Sequence, residues 1–210
     1  MGRRRAIGSG HSGQSRQQRR LKYDLRFLID PREGLSGALR PASRIWHTPR
    51  AMKGNPKVLE ELNKALREEL TAINQYFVHA EMCENWGYEK LSEYIKKQSI
   101  GEMKHAESLL ERIFFLDGSP TMEPMKLTIG TSVKQALESD LKLELSAVKS
   151  YNEAVRIATE EKDNGSRDLF VVLLKDEESH VDWLEAQMHL IEELGYERYL
   201  TMQMGESEEE

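Results

Sequence analysis

Residues 102–105 read EMKH and residues 177–180 read EESH. Each places a glutamate three residues before a histidine, a spacing that sets both side chains on one face of a helix. In both cases that face is otherwise mostly apolar. The stripe through the first pair reads Leu91, Ile95, Gln98, Glu102, His105, Leu109; the stripe through the second reads Leu169, Leu173, Glu177, His180, Leu184, Met188, Ile191. Alternating steps of three and four residues mark amphipathic helices. The fold therefore turns on why charged groups sit in the middle of two apolar seams.

Two further stripes have the same character. One reads Leu59, Leu62, Leu66, Glu69, Ile73, Tyr76, Ala80, Cys83, the other Val133, Leu137, Asp140, Glu144, Val148, Tyr151, Val155, Ala158. The pattern predicts four long helices. The first starts at Pro56, which suits a first helical turn, and ends near Asn85 before Trp86-Gly87. The second spans about Tyr88 to Leu116 and is closed by DGSP at 117–120. The third spans about Ser132 to Glu160. After a turn at Lys162-Asp163-Asn164-Gly165, the fourth spans about Ser166 to Leu194, with Gly195 as its C-cap. Tyr196 to Met204 fits a short fifth helix. The connection at 117–131 contains Pro120, Pro124 and Gly130 and is long enough to travel the length of a bundle. Helices two and three are therefore expected to run parallel, since an up-down-up-down bundle would need only short loops. The fold class is all-α, a four-helix bundle with one long crossover.

Each predicted helix carries one glutamate near the middle of its seam: Glu69, Glu102, Glu144 and Glu177. A buried carboxylate without a partner is costly, and four facing one another would resist ionisation. Bound cations remove the difficulty. Four Glu with His105 and His180 can hold two metal ions close together, two of the carboxylates bridging, and a mixed carboxylate–imidazole set suits iron or manganese. This is the known ligand pattern of ferritin-like dimetal bundles. Tyr76 and Tyr151 each follow a seam glutamate by seven residues, two turns on. They read either as core tyrosines or as groups that orient the ligands; Asp140 is a candidate for the same supporting role. His79 and His189 read as packing or surface residues, and Cys83 as a buried thiol. Met103 lies about 100° around the helix from Glu102, off the metal-facing seam. It reads either as packing against a neighbouring helix or subunit or as a thioether ligand for haem iron at a symmetric interface, and spacing alone favours packing.

The 210 residues allow one domain with an appendage. Residues 1–51 hold 12 basic and 3 acidic residues, residues 52–210 hold 18 and 33, giving +9 and −15 within an overall charge of −6. The first segment is rich in Arg, Ser and Gly and lacks the periodicity to pack a core. It reads as a targeting leader, a nucleic-acid arm, or a start assigned upstream of the natural one at Met52, with preference for the last. The acidic remainder argues against nucleic-acid binding by the domain itself. A single cysteine excludes an internal disulfide framework and favours a cytoplasmic setting. No stretch approaches the roughly 20 apolar residues of a membrane span.

Four blocks, MKGNPKVLEELNKALREELTAINQYFVHAEMCENWG, SIGEMKHAESLLERIFFLDGSP, SDLKLELSAVKSYNEA and LLKDEESHVDWLEAQMHLIEELG, resemble the bacterioferritins over 52–204. The resemblance implies a cage of twenty-four subunits that stores iron as a ferric mineral. It also implies a di-iron ferroxidase centre in each subunit, catalysing 4 Fe(II) + O2 + 4 H+ = 4 Fe(III) + 2 H2O, with O2 or hydrogen peroxide as oxidant. By the family's pattern Glu69 and His105 bind one iron, Glu144 and His180 the other, and Glu102 and Glu177 bridge. It further implies haem b shared by two subunits through Met103 of each, lined by Leu70, Ile73, Phe77, Ile100 and Lys104, and a ferredoxin as electron donor for iron release. An additional cavity-facing iron site, a His and an Asp in some members, falls on Lys97 and Gly101 here and is not expected. Rival expectations are a dimetal peroxidase or catalase on the same fold, or a DNA-protecting shell using the basic arm.

Overall fold

The computed structural model describes residues 52–205. The basic segment expected at 1–51 lies outside the described residues. Five helices follow in order: α1 (Pro56–Asn85), α2 (Glu89–Phe115), α3 (Val133–Glu160), α4 (Asn164–Leu194) and α5 (Tyr196–Gln203). There is no strand among the described residues.

The caps explain most boundaries. The Asn55 side chain accepts from the Lys57 N–H and Pro56 fills the first turn of α1. At the start of α3 the Ser132 side chain accepts from the Gln135 N–H. The fourth helix begins earlier than the sequence suggests. Asp163 accepts from the Ser166 N–H at 3.0 Å and from its hydroxyl at 2.9 Å, so Asn164 and Gly165 belong to the first helical turn. Gly195, at φ 79°, separates α4 from α5, as a residue free to adopt positive φ can.

Cross-helix contacts fix the topology. Ser99 donates to the Ile73 carbonyl at 2.9 Å and Lys96 pairs with Glu81 at 2.7 Å, so α1 and α2 are antiparallel. Tyr76 donates to Glu144, and Tyr151 donates to Glu69, so α1 and α3 are antiparallel as well. It follows that α2 and α3 run parallel and that residues 116–132 must return along the whole bundle.

That return is held by a row of polar side chains on α1. The Asn63 side chain accepts from the Thr121 N–H at 2.6 Å, and Arg67 donates to the Glu123 carbonyl at 3.0 Å. Further on, the Thr71 hydroxyl accepts from the Met125 N–H at 2.8 Å and Gln75 accepts from the Thr128 N–H at 2.9 Å. Last, His79 Nε2 accepts from the Gly130 N–H at 3.0 Å. These five residues recur every fourth position, so the row drifts slowly around the helix. The drift carries the crossover diagonally from the α2 side to the α3 side. An extended backbone without a sheet still needs partners for its N–H groups, and α1 supplies them.

Two apolar clusters pack at the two ends of the bundle. One contains Leu62, Leu66, Leu109, Ile113, Tyr151 and Phe170. The other contains Leu91, Ile95, Leu137, Leu184, Ile191 and Tyr199. Each fully buried Leu or Ile contributes roughly 1.5–3 kcal/mol relative to exposure. The polar seam residues lie between these clusters, in a slab clamped from both ends.

Candidate metal centre

The structure brings all six seam residues together. Glu69, Glu102, Glu144 and Glu177 are 3% exposed or less, and the His105 and His180 side chains are 11% and 13% exposed. Ligand-type atoms of Glu69, Glu102, His105 and Glu177 converge within 4.8 Å of one another, as do those of Glu102, Glu144, Glu177 and His180. Glu102 and Glu177 belong to both groups. His105 Nδ1 lies 2.8 Å from Glu102, 3.3 Å from Glu177 and 3.5 Å from Glu69; His180 Nδ1 lies 3.1 Å from both Glu102 and Glu177. The two imidazole rings are 6.2 Å apart and inclined by 21°.

The donor set fits a pair of divalent cations. Both oxygens of Glu102, Oε1 of Glu177 and Nδ1 of His105 are buried and make no aligned hydrogen bond. They are near one another without being hydrogen-bonded, which is how lone pairs are placed when they converge on a common centre rather than on a proton. Without a cation the protons have to settle the charge. Burial holds Glu69 and Glu144 well above the usual carboxylate range. Burial also opposes ionisation of Glu102 and Glu177, but the imidazoles of His105 and His180 outweigh it and hold both below that range. Burial works against the imidazolium of His180, yet Glu102 and Glu177 push it up to about 10; His105 is raised further by Glu102, Glu177 and Glu69.

The tyrosines cross between helices. Tyr76 on α1 donates to Glu144 on α3, and Tyr151 on α3 donates to Glu69 on α1. Both are buried, and burial with the nearby carboxylates keeps both phenols protonated. Each therefore acts as a fixed donor to an outer carboxylate. The arrangement is quasi-symmetric in sequence as well: Glu69 to Glu102 and Glu144 to Glu177 are both 33 residues, and a tyrosine follows Glu69 and Glu144 by the same interval.

Asp140 touches none of the six seam residues through a hydrogen bond of its own; its partners lie on α1. It is fully buried and faces His79 Nδ1 at 2.9 and 3.0 Å and the Gln75 amide at 2.9 Å. His79 and Gln75 are the last two rungs holding the crossover, so Asp140 ties α3 to that clasp. His79 is accordingly a buried structural residue, while His189 is exposed. Cys83 is buried, and burial pushes its thiol up to about 12. Asp176 was not singled out from the sequence; its carboxylate lies 3.3 Å from His105 Nε2 and can fix that ring with Nδ1 toward the centre. Its only sequence signal is adjacency to Glu177. Glu68, beside Glu69, is also buried and burial pushes it up to about 7.

Met103 is 47% exposed, off the metal-facing seam. Phe77 and Ile100 are 51% and 48% exposed, and Leu70 and Ile73 are half-buried on α1. The single chain leaves this apolar surface of α1 and α2 uncovered. Lys97 is exposed and Gly101 half-buried.

Comparison with known proteins agrees with this architecture. A family model described as a ferritin-like domain matches residues 59–194. The chain is similar to the bacterioferritin of Brucella melitensis biotype 1, 46% identical over 149 residues that cover 70% of this chain and 92% of that protein. It is 41% identical to the bacterioferritin of Mycolicibacterium paratuberculosis, with 70% and 94% covered, and 41% identical to that of Streptomyces coelicolor, with 71% and 90% covered. With nearly the full length of these relatives matched, and with a four-helix bundle whose seams carry the Glu and Glu-x-x-His set, the chain belongs to the bacterioferritin family.

Proposed function

We propose that this protein stores iron and oxidises Fe(II) to Fe(III) at the centre between its four helices. The observation that carries the reading is the division of six ligand residues into two groups that share Glu102 and Glu177. Fe(II) is the substrate, and four Fe(II) reduce one O2 to two waters while taking up four protons; peroxide is the other oxidant the family implies. Iron supplies one-electron chemistry and the protein supplies placement. Glu69 with His105, and Glu144 with His180, hold the two ions, and Glu102 and Glu177 span them. Tyr151 and Tyr76 fix the outer carboxylates Glu69 and Glu144, and Asp176 fixes the His105 ring. The described residues contain no helix long and apolar enough to cross a membrane, which accords with the cytoplasmic setting we assign.

Membership in the family also supports assembly into a twenty-four-subunit cage with Fe(III) held inside as mineral. Domain charge helps here, since −15 over 52–210 favours the approach of cations. The uncovered surface around Met103 suits haem b between two subunits, with one thioether from each, and a ferredoxin would deliver electrons there for release. Lys97 and Gly101 offer no ligand for an additional cavity site.

The test is anaerobic loading of the metal-free protein with Fe(II), followed by exposure to O2 and optical measurement of Fe(III) formation. Glu102→Ala with His105→Ala should abolish the rapid phase. Wild-type rates in that double variant would show that oxidation occurs elsewhere.

A further inference from the structure

On the α1 face turned toward α3 stand two carboxylates that the centre does not use. Glu61 and Glu68 are seven residues apart, hence two turns apart on one side of the helix. Glu68 is 8% exposed, and its Oε2 is buried without a hydrogen-bond partner. Glu61 is part-exposed, and one of its oxygens is likewise buried and unpartnered. Ser150 of α3 stands beside Glu68, and Glu153, one turn along α3, lies in the field of Glu61.

Glu68 feels the charge of Glu61 on one side and of Glu177, a residue of the metal centre, on the other. A carboxylate is thus placed at each stage between solvent and the centre: Glu61 at the edge, Glu68 in the interior, and Glu69 and Glu177 at the end. Two cations temper the series, Lys64 acting on both Glu61 and Glu68 and Arg156 on Glu61. Arg156 is engaged with Glu153 and Glu160. Lys64 is exposed and makes no ion pair among the described residues.

Unpartnered buried carboxylate oxygen is costly to maintain, and a structural role would have given Glu68 a donor for its second oxygen. A transient cation explains the vacancy in its bonding. A carboxylate that held a cation tightly would need more ligands than this groove offers; one that only passes it on needs few. We infer that Glu61 and Glu68 form a loading path along which divalent cations step from the solvent edge of the α1–α3 groove to the metal centre. The inference rests on reading that centre as a dimetal site.

The experiment follows anaerobic Co(II) loading of the metal-free full-length protein by stopped-flow absorbance, where the ligand-field spectrum reports occupation of the centre. Glu68→Gln should slow loading about tenfold, the low end of what a charged cleft adds to ion arrival. The plateau spectrum should match wild type, because all six ligands remain. Glu61→Gln should slow loading less, and Lys64→Gln should accelerate it, an effect that a packing role for Glu68 would not produce. An unchanged rate in Glu68→Gln, with a normal wild-type spectrum, would overturn the path alone. An altered plateau spectrum in that variant would also overturn it, since Glu68 would then be acting on the placement of Glu69. Absence of any Co(II) ligand-field spectrum in wild type would remove the dimetal reading and the path together.

Discussion

Two glycines separate a tightly docked crossover from an open helix surface, and replacing each by alanine should move stability in opposite directions. Gly130 is buried where the crossover meets α3. A Cβ added there would lie 2.3 Å from the Ala136 nitrogen, 2.5 Å from the Gln135 carbonyl carbon and 2.7 Å from the Ala136 Cα. All three are backbone atoms of the first turn of α3, so no side chain can rotate out of the way. Overpacking of this kind costs about 1–3 kcal/mol. Displacing the loop also breaks the bond from the Gly130 N–H to His79, worth about 1 kcal/mol. The expected loss is therefore roughly 2–4 kcal/mol. Gly101, in contrast, lies within α2, and a Cβ there meets nothing within 4 Å. Helical Gly→Ala gains about 1 kcal/mol through the unfolded chain and helix propensity. For a domain of this size 1 kcal/mol shifts Tm by about 2–4 °C. Thermal unfolding of metal-free protein at one fixed subunit concentration should thus place Gly101→Ala about 3 °C above wild type and Gly130→Ala about 8 °C below it. A Gly130→Ala variant as stable as wild type would refute the account of the crossover as a segment locked between α1 and α3.

Four other outcomes follow from the same geometry. Asp140→Ala should destabilise by about 2–4 kcal/mol by stripping partners from buried His79 and Gln75, and should still titrate with two Zn(II) per subunit but at lower affinity, because Asp140 is no ligand and acts through the register of α1 and α3. Tyr151→Phe leaves Glu69 without its donor; calorimetric titration should show weakened binding at the Glu69–His105 position, with the other position nearly unchanged. Cation binding should strengthen as pH rises from 6 to 8. In the metal-free centre His180 holds its proton up to about pH 10, above its ordinary 6.5, so an entering cation must displace that proton, and proton release in weakly buffered solution measures it. If Met103 holds haem as proposed, Met103→Leu should remove the haem absorbance band and leave the proposed Fe(II) oxidation in place, since Met103 lies off the metal-facing seam.

The features readable from sequence are those imposed by periodicity. Glu69, Glu102, His105, Glu144, Glu177 and His180 all fall on steps of three and four, and the length of the 117–131 connection allowed α2 and α3 to run parallel. What escaped the sequence has physical causes. The row Asn63, Arg67, Thr71, Gln75 and His79 looks like the solvated face of α1, because nothing local says that an extended backbone will cover it. Asp140 sits on the α3 stripe and so reads as part of the ligand shell. Its distance from Glu144 along the helix brings it level with His79, a partner the stripe does not announce, as the antiparallel pairing of α1 and α3 demands. The cap at Asp163 lies inside a Lys-Asp-Asn-Gly stretch whose turn character hides a helix start.

Those misses clarify how the site is built. The proposed dimetal centre needs α1 and α3 held in register, because Tyr76 must reach Glu144 while Tyr151 reaches Glu69. Apolar packing fixes which faces meet, but smooth leucine and alanine surfaces tolerate sliding better than directional bonds do. The His79–Asp140 and Gln75–Asp140 contacts supply a directional tie between the same two helices. The crossover closes over it through Gly130 and Thr128. A polar cluster that binds no substrate thus sets the axial register on which the tyrosine–glutamate pairs depend. Its buried position, one to two turns from the centre, lets it do so without competing for the cations.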